Sequence, residues 1–258
     1  MGKVSFSKTE HVAKITIDSP PANALSSSII TEINQQLDKV EDDPSIKTVV
    51  LHGEGRFFSA GADIKEFTDV DSPSEFSELS AHGQKVFHRI EDFSIPVIAA
   101  IHGAALGGGL ELAMSCHIRI VSEKAKLGLP ELTLGIIPGF AGTQRLPQLI
   151  GASKAYEMML TSEPIEGMKA VTLGLANFAV ESDEEVLKEA LVLAEKIASK
   201  SKPTIEKIMQ LVFLAKNGQY EKGAKEEADS FGVLFVTEDA KEGISAFLEK
   251  RKPNFKDK

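Results

Sequence analysis

One cysteine in 258 residues, Cys116, excludes a framework of intrachain disulfides and fits a reducing compartment. It lies among apolar residues and reads as a buried structural thiol rather than a nucleophile. No apolar run approaches the roughly 20 residues of a membrane span. Met1-Gly2-Lys3-Val4-Ser5-Phe6 passes straight into strand-like sequence, without a signal or transit peptide. A cytoplasmic location with no membrane contact is the expectation. The histidines His11, His52, His82, His88, His102 and His117 have no H-E-x-x-H or comparable spacing, so no metal site is expected. G-x-S-x-G is missing, which removes the nucleophile-elbow hydrolases. The glycine cluster lacks both the G-K-[ST] of a P-loop and the full spacing of a dinucleotide fingerprint. Basic residues are in deficit, 29 against 38 acidic, and the net charge of −9 argues against a non-specific binder of nucleic acid or anionic membranes. The expected partner is a small molecule.

What is present is an alternation of short apolar runs and amphipathic stretches. Residues 4–17 alternate apolar and polar on both sides of Lys8-Thr9-Glu10, the pattern of a β-hairpin. After the turn Ser19-Pro20-Pro21-Ala22-Asn23, residues 26–42 have helical spacing, with Ile29, Ile30, Ile33, Leu37 and Val40 on one side. Residues 48–52 read as a buried strand. Residues 57–65 read as a small-residue loop where backbone could approach a ligand, or equally as a plain tight loop. A polar stretch at 69–74 precedes helical spacing at 75–93 through Phe76, Leu79, Val86, Phe87 and Ile90, and then a strand at 97–101. Residues 118–121 read as a strand, 136–145 as a Gly/Pro-rich loop and 153–160 as a helix. Strand–helix alternation of this kind predicts an α/β layer architecture with parallel strands. After Ala179-Val180 the pattern becomes all-helical, at 184–198, 204–216, 221–235 and 240–250. Phe231, Leu234, Phe235, Ile244, Phe247 and Leu248 give that tail more apolar surface than a solvated appendage needs, so it is expected to cover the core or pack on another subunit.

The chain centres on residues 101–146. Gly107, Gly108 and Gly109 follow an apolar run and precede Leu110-Glu111-Leu112-Ala113-Met114, which predicts strand, tight turn and helix N-terminus. Such a helix start offers free N–H groups and a positive dipole end to an anion or to a carbonyl oxygen gaining charge. Gly108 and Glu111 share a face of its first turn, about 4.5 Å apart along the axis. A second carboxylate, Glu131, sits in Gly128-Leu129-Pro130-Glu131-Leu132, predicted to be a partly buried loop. A carboxylate there has its pKa raised, which suits acid/base work near neutrality. Local sequence leaves open that Glu111 is only a first-turn charge and Glu131 only a salt-bridge partner.

Taken together and in order, several segments resemble the enoyl-CoA hydratase/isomerase, or crotonase, superfamily. They are Ser59-Ala60-Gly61-Ala62-Asp63-Ile64, Ile95 through Gly103, Ala105-Leu106-Gly107-Gly108-Gly109-Leu110-Glu111-Leu112-Ala113, and Leu129-Pro130-Glu131 through Gly142-Thr143-Gln144-Arg145-Leu146. Thr237 through Gly243 and Ala246 through Arg251 look like its C-terminal signature. The resemblance covers the whole chain. It implies an α/β fold: a crotonase-like spiral of strand–strand–helix repeats over residues 1–200 and a C-terminal helical trimerisation region over 201–258. It also implies a homotrimer or a hexamer made of two trimers.

The implied substrate is an acyl-CoA thioester whose carbonyl oxygen is held by the backbone N–H groups of Ala62 and Gly108, with no separate cofactor. Both glutamates of the hydratase pattern stand at Glu111 and Glu131, which implies addition of water to a trans-2-enoyl-CoA. Glu111 would activate the water that attacks C3, and Glu131 would exchange the proton at C2. The CoA body would lie along Ala60, Ala62, Asp63, Ile64 and Lys65 and near Ala24, with its phosphates near Arg56 and Lys65. Lys250, from this chain or a neighbour, is a further cation. The same fold leaves room for an enoyl-CoA isomerase, a hydratase of branched or aromatic substrates, an RNA-binding relative and a non-catalytic CoA binder. Two departures stand out. His117 occupies a region where the family commonly has aspartate, which implies altered structural or interface hydrogen bonding. Thr161-Ser162-Glu163-Pro164-Ile165 lacks the usual glycine after threonine, which puts that turn in doubt.

Overall fold

A computed structural model describes residues 2–68 and 72–258, with the side chains of Phe67 and Thr68 left out. The polar stretch expected at 69–74 lies partly outside the described residues. The chain opens with the hairpin, β1 (Lys3–Thr9) antiparallel to β2 (Val12–Asp18). Next comes α1 (Ser27–Glu41), which starts where the Ser26 side chain accepts the Ile29 N–H, and whose five predicted apolar positions are all buried. Then follow β3 (Thr48–Gly53), α2 (Ile64–Thr68), α3 (Pro73–Glu91), β4 (Val97–Ile101), β5 (Ala104–Leu106), α4 (Gly108–Ser115), β6 (Ile118–Ser122) and β7 (Lys126–Gly128). A 3-10 turn (Glu131–Leu134) leads to α5 (Gly142–Ile150), α6 (Ala152–Thr161), β8 (Ile165–Glu166), α7 (Gly167–Leu173) and β9 (Phe178–Val180). The remaining elements are helical: α8 (Asp183–Ala198), α9 (Lys202–Lys216), α10 (Tyr220–Phe235) and α11 (Glu238–Leu248).

Six strands form one sheet in the order β1-β2-β3-β4-β6-β9, parallel from β2 onward. β5, β7 and β8 form a second, small sheet. Single bridges extend its layer, Ser59 to Ala105 and Leu25 to Ala62. β2, β3, β4 and β6 are thus each followed by a short strand or bridge in the small layer and then by a helical segment, and this recurrence makes the spiral. The large sheet is covered on both faces, so β3 and β4 are apolar without alternation. Val49 and Leu51 join the core under α1, α3 and α4, whereas Val50 and Ile98 face α8. Ala190, Ala194 and Ala198, four residues apart on α8, are buried against that second face.

Three expectations need correction. The loop predicted at 136–145 ends at Ala141, because α5 begins at Gly142. The loop at 57–65 ends at Asp63, because α2 starts at Ile64. Phe76 does not belong to the buried stripe of α3; Gly83, Val86, Phe87 and Ile90 do. The C-terminal helices α9 to α11 leave Phe231, Phe235, Phe247 and Leu248 exposed, the last two at 82% and 74%, so these side chains do not cover the core of their own chain. The doubtful turn after Thr161 forms with Ser162 in the left-handed region at φ 59°.

Candidate active site

The small layer delivers two backbone donors to one place. In the parallel bridge, Leu25 N–H bonds Gly61 O and Asp63 N–H bonds Leu25 O, so Ala62 between them turns its N–H away from the bridge. On the other side β5 ends at Leu106, the chain turns at Gly107, whose φ of 51° and ψ of −128° only glycine takes readily, and α4 starts at Gly108 with no side-chain cap. A Cβ on Gly108 would sit 3.2 Å from Ala62 N, so the two amides flank one gap.

Two carboxylates border that gap. Glu111, in the first turn of α4, is 1% exposed, and its Oε1 accepts N–H bonds from Phe140 at 2.8 Å and Gly142 at 2.6 Å. Ala141 between these donors is left-handed at φ 67°, which aims the amides of residues 140 and 142 at the same oxygen. Glu131 opens a 3-10 turn rather than the loop expected, and its Oε1 lies 2.8 Å from where a Cβ on Gly107 would be. Its Oε2 is buried with no hydrogen-bond partner. Burial pushes the Glu111 carboxyl up to about 7, and the neighbouring Glu131 charge adds to the rise; the N–H groups of Gly142 and Phe140 and the Arg145 charge oppose it. Burial also raises Glu131. The N–H donors on Glu111 favour its ionised form, whereas burial and the Glu131 charge favour the protonated one. Two aimed amides and two carboxyls raised by burial can polarise a carbonyl oxygen and move protons at carbons beside it.

The other predicted residues fall at varying distances from this centre. Ala24, Ala60 and Ala62 line the bridged segment, with Ala60 N–H bonded to Ala22 O at 2.9 Å. Asp63 Oδ1 accepts the Lys65 N–H at 3.1 Å, and Ile64 is 47% exposed. Arg56 is exposed, its guanidinium 5.1 Å from the Phe57 ring centroid. Lys250 follows α11, bonds Phe247 O through its N–H, and shares no bond with the carboxylate pair. His117 does make a structural bond: its Nδ1 accepts the Val97 N–H at 2.9 Å, and burial holds the ring down to about 4, hence neutral at physiological pH. Cys116 is buried and its thiol pushed up to about 12, as a structural thiol should be. Among the described residues no group of three or more His, Cys, Asp or Glu could hold a metal, and no helix is long and apolar enough to cross a membrane. Sequence reasoning missed the parts Gly107, Phe140 and Gly142 play around the carboxylates, because only the close approaches reveal them.

The family model for enoyl-CoA hydratase/isomerase matches residues 7–258. The chain is 55% identical over 256 residues to a probable enoyl-CoA hydratase of Bacillus subtilis, covering 99% of each. It is 42% identical over 254 residues to the crotonyl-CoA hydratase of Syntrophomonas wolfei, covering 98% of this chain and 97% of the relative. A solved enoyl-CoA hydratase from Bacillus anthracis superposes with a TM-score of 0.94 at 35% identity, covering 99% of this chain and 100% of that one. By this match over nearly the whole chain and these identities, the chain belongs to the enoyl-CoA hydratase/isomerase family.

Proposed function

We propose that this chain is an enoyl-CoA hydratase, adding water across the double bond of a trans-2-enoyl-CoA to give a 3-hydroxyacyl-CoA in fatty-acid or related acyl-CoA metabolism. The observation that carries it is the pair of buried, raised carboxyls at Glu111 and Glu131 beside two uncommitted amides. Relatives at 55% and 42% identity that bear hydratase names support it.

In this mechanism the thioester oxygen sits between the Ala62 and Gly108 N–H groups, which stabilise the enolate-like charge as it develops. Glu111 takes a proton from water as the water oxygen bonds to C3, and Glu131 gives its proton to C2. One water is consumed, one proton moves from Glu131 to the substrate and one from water to Glu111, so the pair ends with the proton it began with. No separate cofactor is needed, because CoA is part of the substrate. The partly exposed strip of Ala24, Ala60, Ala62, Asp63, Ile64 and Lys65 is our assignment for the CoA body, with Arg56 and Lys65 for its phosphates. Lys250 takes part only from a neighbouring subunit, in the homotrimer or dimer of trimers that the exposed Phe231, Phe235 and Phe247 favour. We place the enzyme in the cytoplasm, where a lone cysteine stays reduced.

Loss of the enoyl-thioester ultraviolet absorbance of crotonyl-CoA tests the reading. Fast loss in the wild type, falling about 10²–10⁴-fold in Glu111→Gln and in Glu131→Gln, is expected. Wild-type protein that binds CoA without turnover would sink it. Glu131→Gln that loses only double-bond migration and keeps hydration would favour an isomerase.

A further inference from the structure

Behind the loop that holds Glu111 stands an ion pair the reaction does not use. Arg145, in α5, is 6% exposed, and its Nε and Nη2 donate to Glu91 Oε2 at 3.2 and 3.1 Å. Its Nη1 donates to Phe140 O at 2.6 Å. Arg145 thus holds the peptide between Phe140 and Ala141, and the peptides on either side of it supply the Phe140 and Gly142 N–H groups that bond Glu111 Oε1. Glu91 is the last residue of α3, where a helix dipole disfavours a carboxylate. Burial would raise it further, yet Lys216 and Arg145 bring it below the usual carboxylate range. Lys216 Nζ, from α9, bonds the other Glu91 oxygen. His88 lies 3.6 Å away on α3, and the neutral His117 also faces Glu91.

We propose that Glu91 and Arg145 are positioning residues for Glu111, and that Lys216 ties this device to the C-terminal helices. A planar guanidinium forked on one carboxylate oxygen has little rotational freedom, so its third contact fixes the Phe140 peptide. The peptide before it is held from α3, where Ser80 Oγ and Gln84 Nε2 donate to Gly139 O, so Arg145 supplies the hold on the other side of Phe140. Without Arg145, Phe140 O loses its partner and the amides of residues 140 and 142 lose their common aim. A carboxylate displaced by about 1 Å costs on the order of 100-fold in rate. Arg145 also opposes the raised pKa of Glu111, whereas the Glu131 charge adds to the rise. The device therefore acts on both the place and the protonation of Glu111. This inference rests on the hydratase reading, with Glu111 as the base.

The test is the pH dependence of kcat and KM for crotonyl-CoA in Arg145→Met, Arg145→Lys, Glu91→Gln and Lys216→Met. Arg145→Met is expected to lower kcat about 100-fold with KM within about threefold, and to move the rising limb of the kcat profile to higher pH. Arg145→Lys keeps the charge but not the fork, so the limb returns toward its wild-type place while kcat stays low. Glu91→Gln lowers kcat less, and Lys216→Met about two- to fivefold. A folded Arg145→Met with kcat within twofold of wild type, or one that loses melting temperature but keeps its pH profile, overturns the proposal. Should Arg145→Met fail to fold, the isosteric Glu91→Gln decides by the same criteria. Absence of hydration in the wild type would fail the hydratase reading instead. The device is then read from the Glu111 carboxyl titration by carbon-13 NMR, assigned by its loss in Glu111→Gln: a higher midpoint in Arg145→Met supports it and an unchanged one overturns it.

Discussion

Glu111 Oε1 and Gly142 approach so closely that the amide bond measures 2.6 Å, and a Cβ on Gly142 would stand 2.8 Å from the same oxygen. The carboxylate is thus seated against a residue that can have no side chain. Gly107 stands in the same relation to Glu131 Oε1, also at 2.8 Å. Each of the two carboxylates has a glycine as its wall. Gly142→Ala is therefore expected to displace Glu111 and lower kcat for crotonyl-CoA by about 10²-fold, at little cost in stability because the contact is the end of a side chain. Kinetics paired with thermal melting check this. An alanine variant with normal kcat would mean that the carboxylate tolerates displacement.

Glu111 costs stability at the position we propose for the catalytic base. Its carboxyl rises from 4.5 to about 7 on folding because it is buried, so the folded chain binds more protons than the unfolded chain between those values. The protonated group's stability is present in full below pH 4.5 and is lost as pH climbs through 7. The shift amounts to about 3 kcal/mol. Glu111→Gln keeps an oxygen for the Phe140 and Gly142 amides and removes the titration. It is expected to be inactive yet more stable than wild type at pH 8, with the advantage shrinking toward pH 4.5. Urea unfolding at the two pH values measures this, and a pH-independent difference would refute it.

Ser162 caps α6 in the left-handed region at φ 59°, which a side chain disfavours by about 1–2 kcal/mol. Glycine takes that conformation without the penalty but loses more entropy on folding. Ser162→Gly should gain about 1 kcal/mol, raising Tm by about 2–4 °C with unchanged turnover. A lower Tm would show that the serine side chain supports the turn.

The long elements were legible because their periodicity is strong. The apolar stripe gave α1 to within about a residue at each end, and the four C-terminal helices were found from apolar spacing alone. β5, β7 and β8 were not anticipated, since two or three residues carry no period. α5 was hidden because it begins with glycine, contains Pro147 and follows a left-handed alanine, each a local sign of loop. Apolar neighbours revealed that Glu131 is partly buried. Nothing local reveals that Glu91 meets Arg145, 54 positions away, or that Phe140 mediates between Arg145 and Glu111.

The last residues of the chain bind its C-terminal helices back onto the core. Lys47, 4% exposed just before β3, donates to Asp257 Oδ1 at 2.7 Å and to Lys200 O at 3.1 Å. The same Asp257 oxygen accepts the Lys202 N–H at the start of α9. Asp239 at the start of α11 accepts the N–H groups of Lys256 and Asp257, and Phe255 lies beside Gly243 of that helix. The tail therefore links α11, α9 and the sheet through one aspartate. Hydrogen bonds to charged groups of this kind contribute about 1.5–3 kcal/mol. Lys47→Met should cost about that much, Asp257→Asn somewhat less, and the double variant little more than Lys47→Met alone, since both remove one link. Hydrogen exchange should then quicken in α9 and α11 before the sheet. Additive losses, or exchange that quickens equally in β3 and β4, would mean that Lys47 supports the core directly and the tail does not fasten the helices.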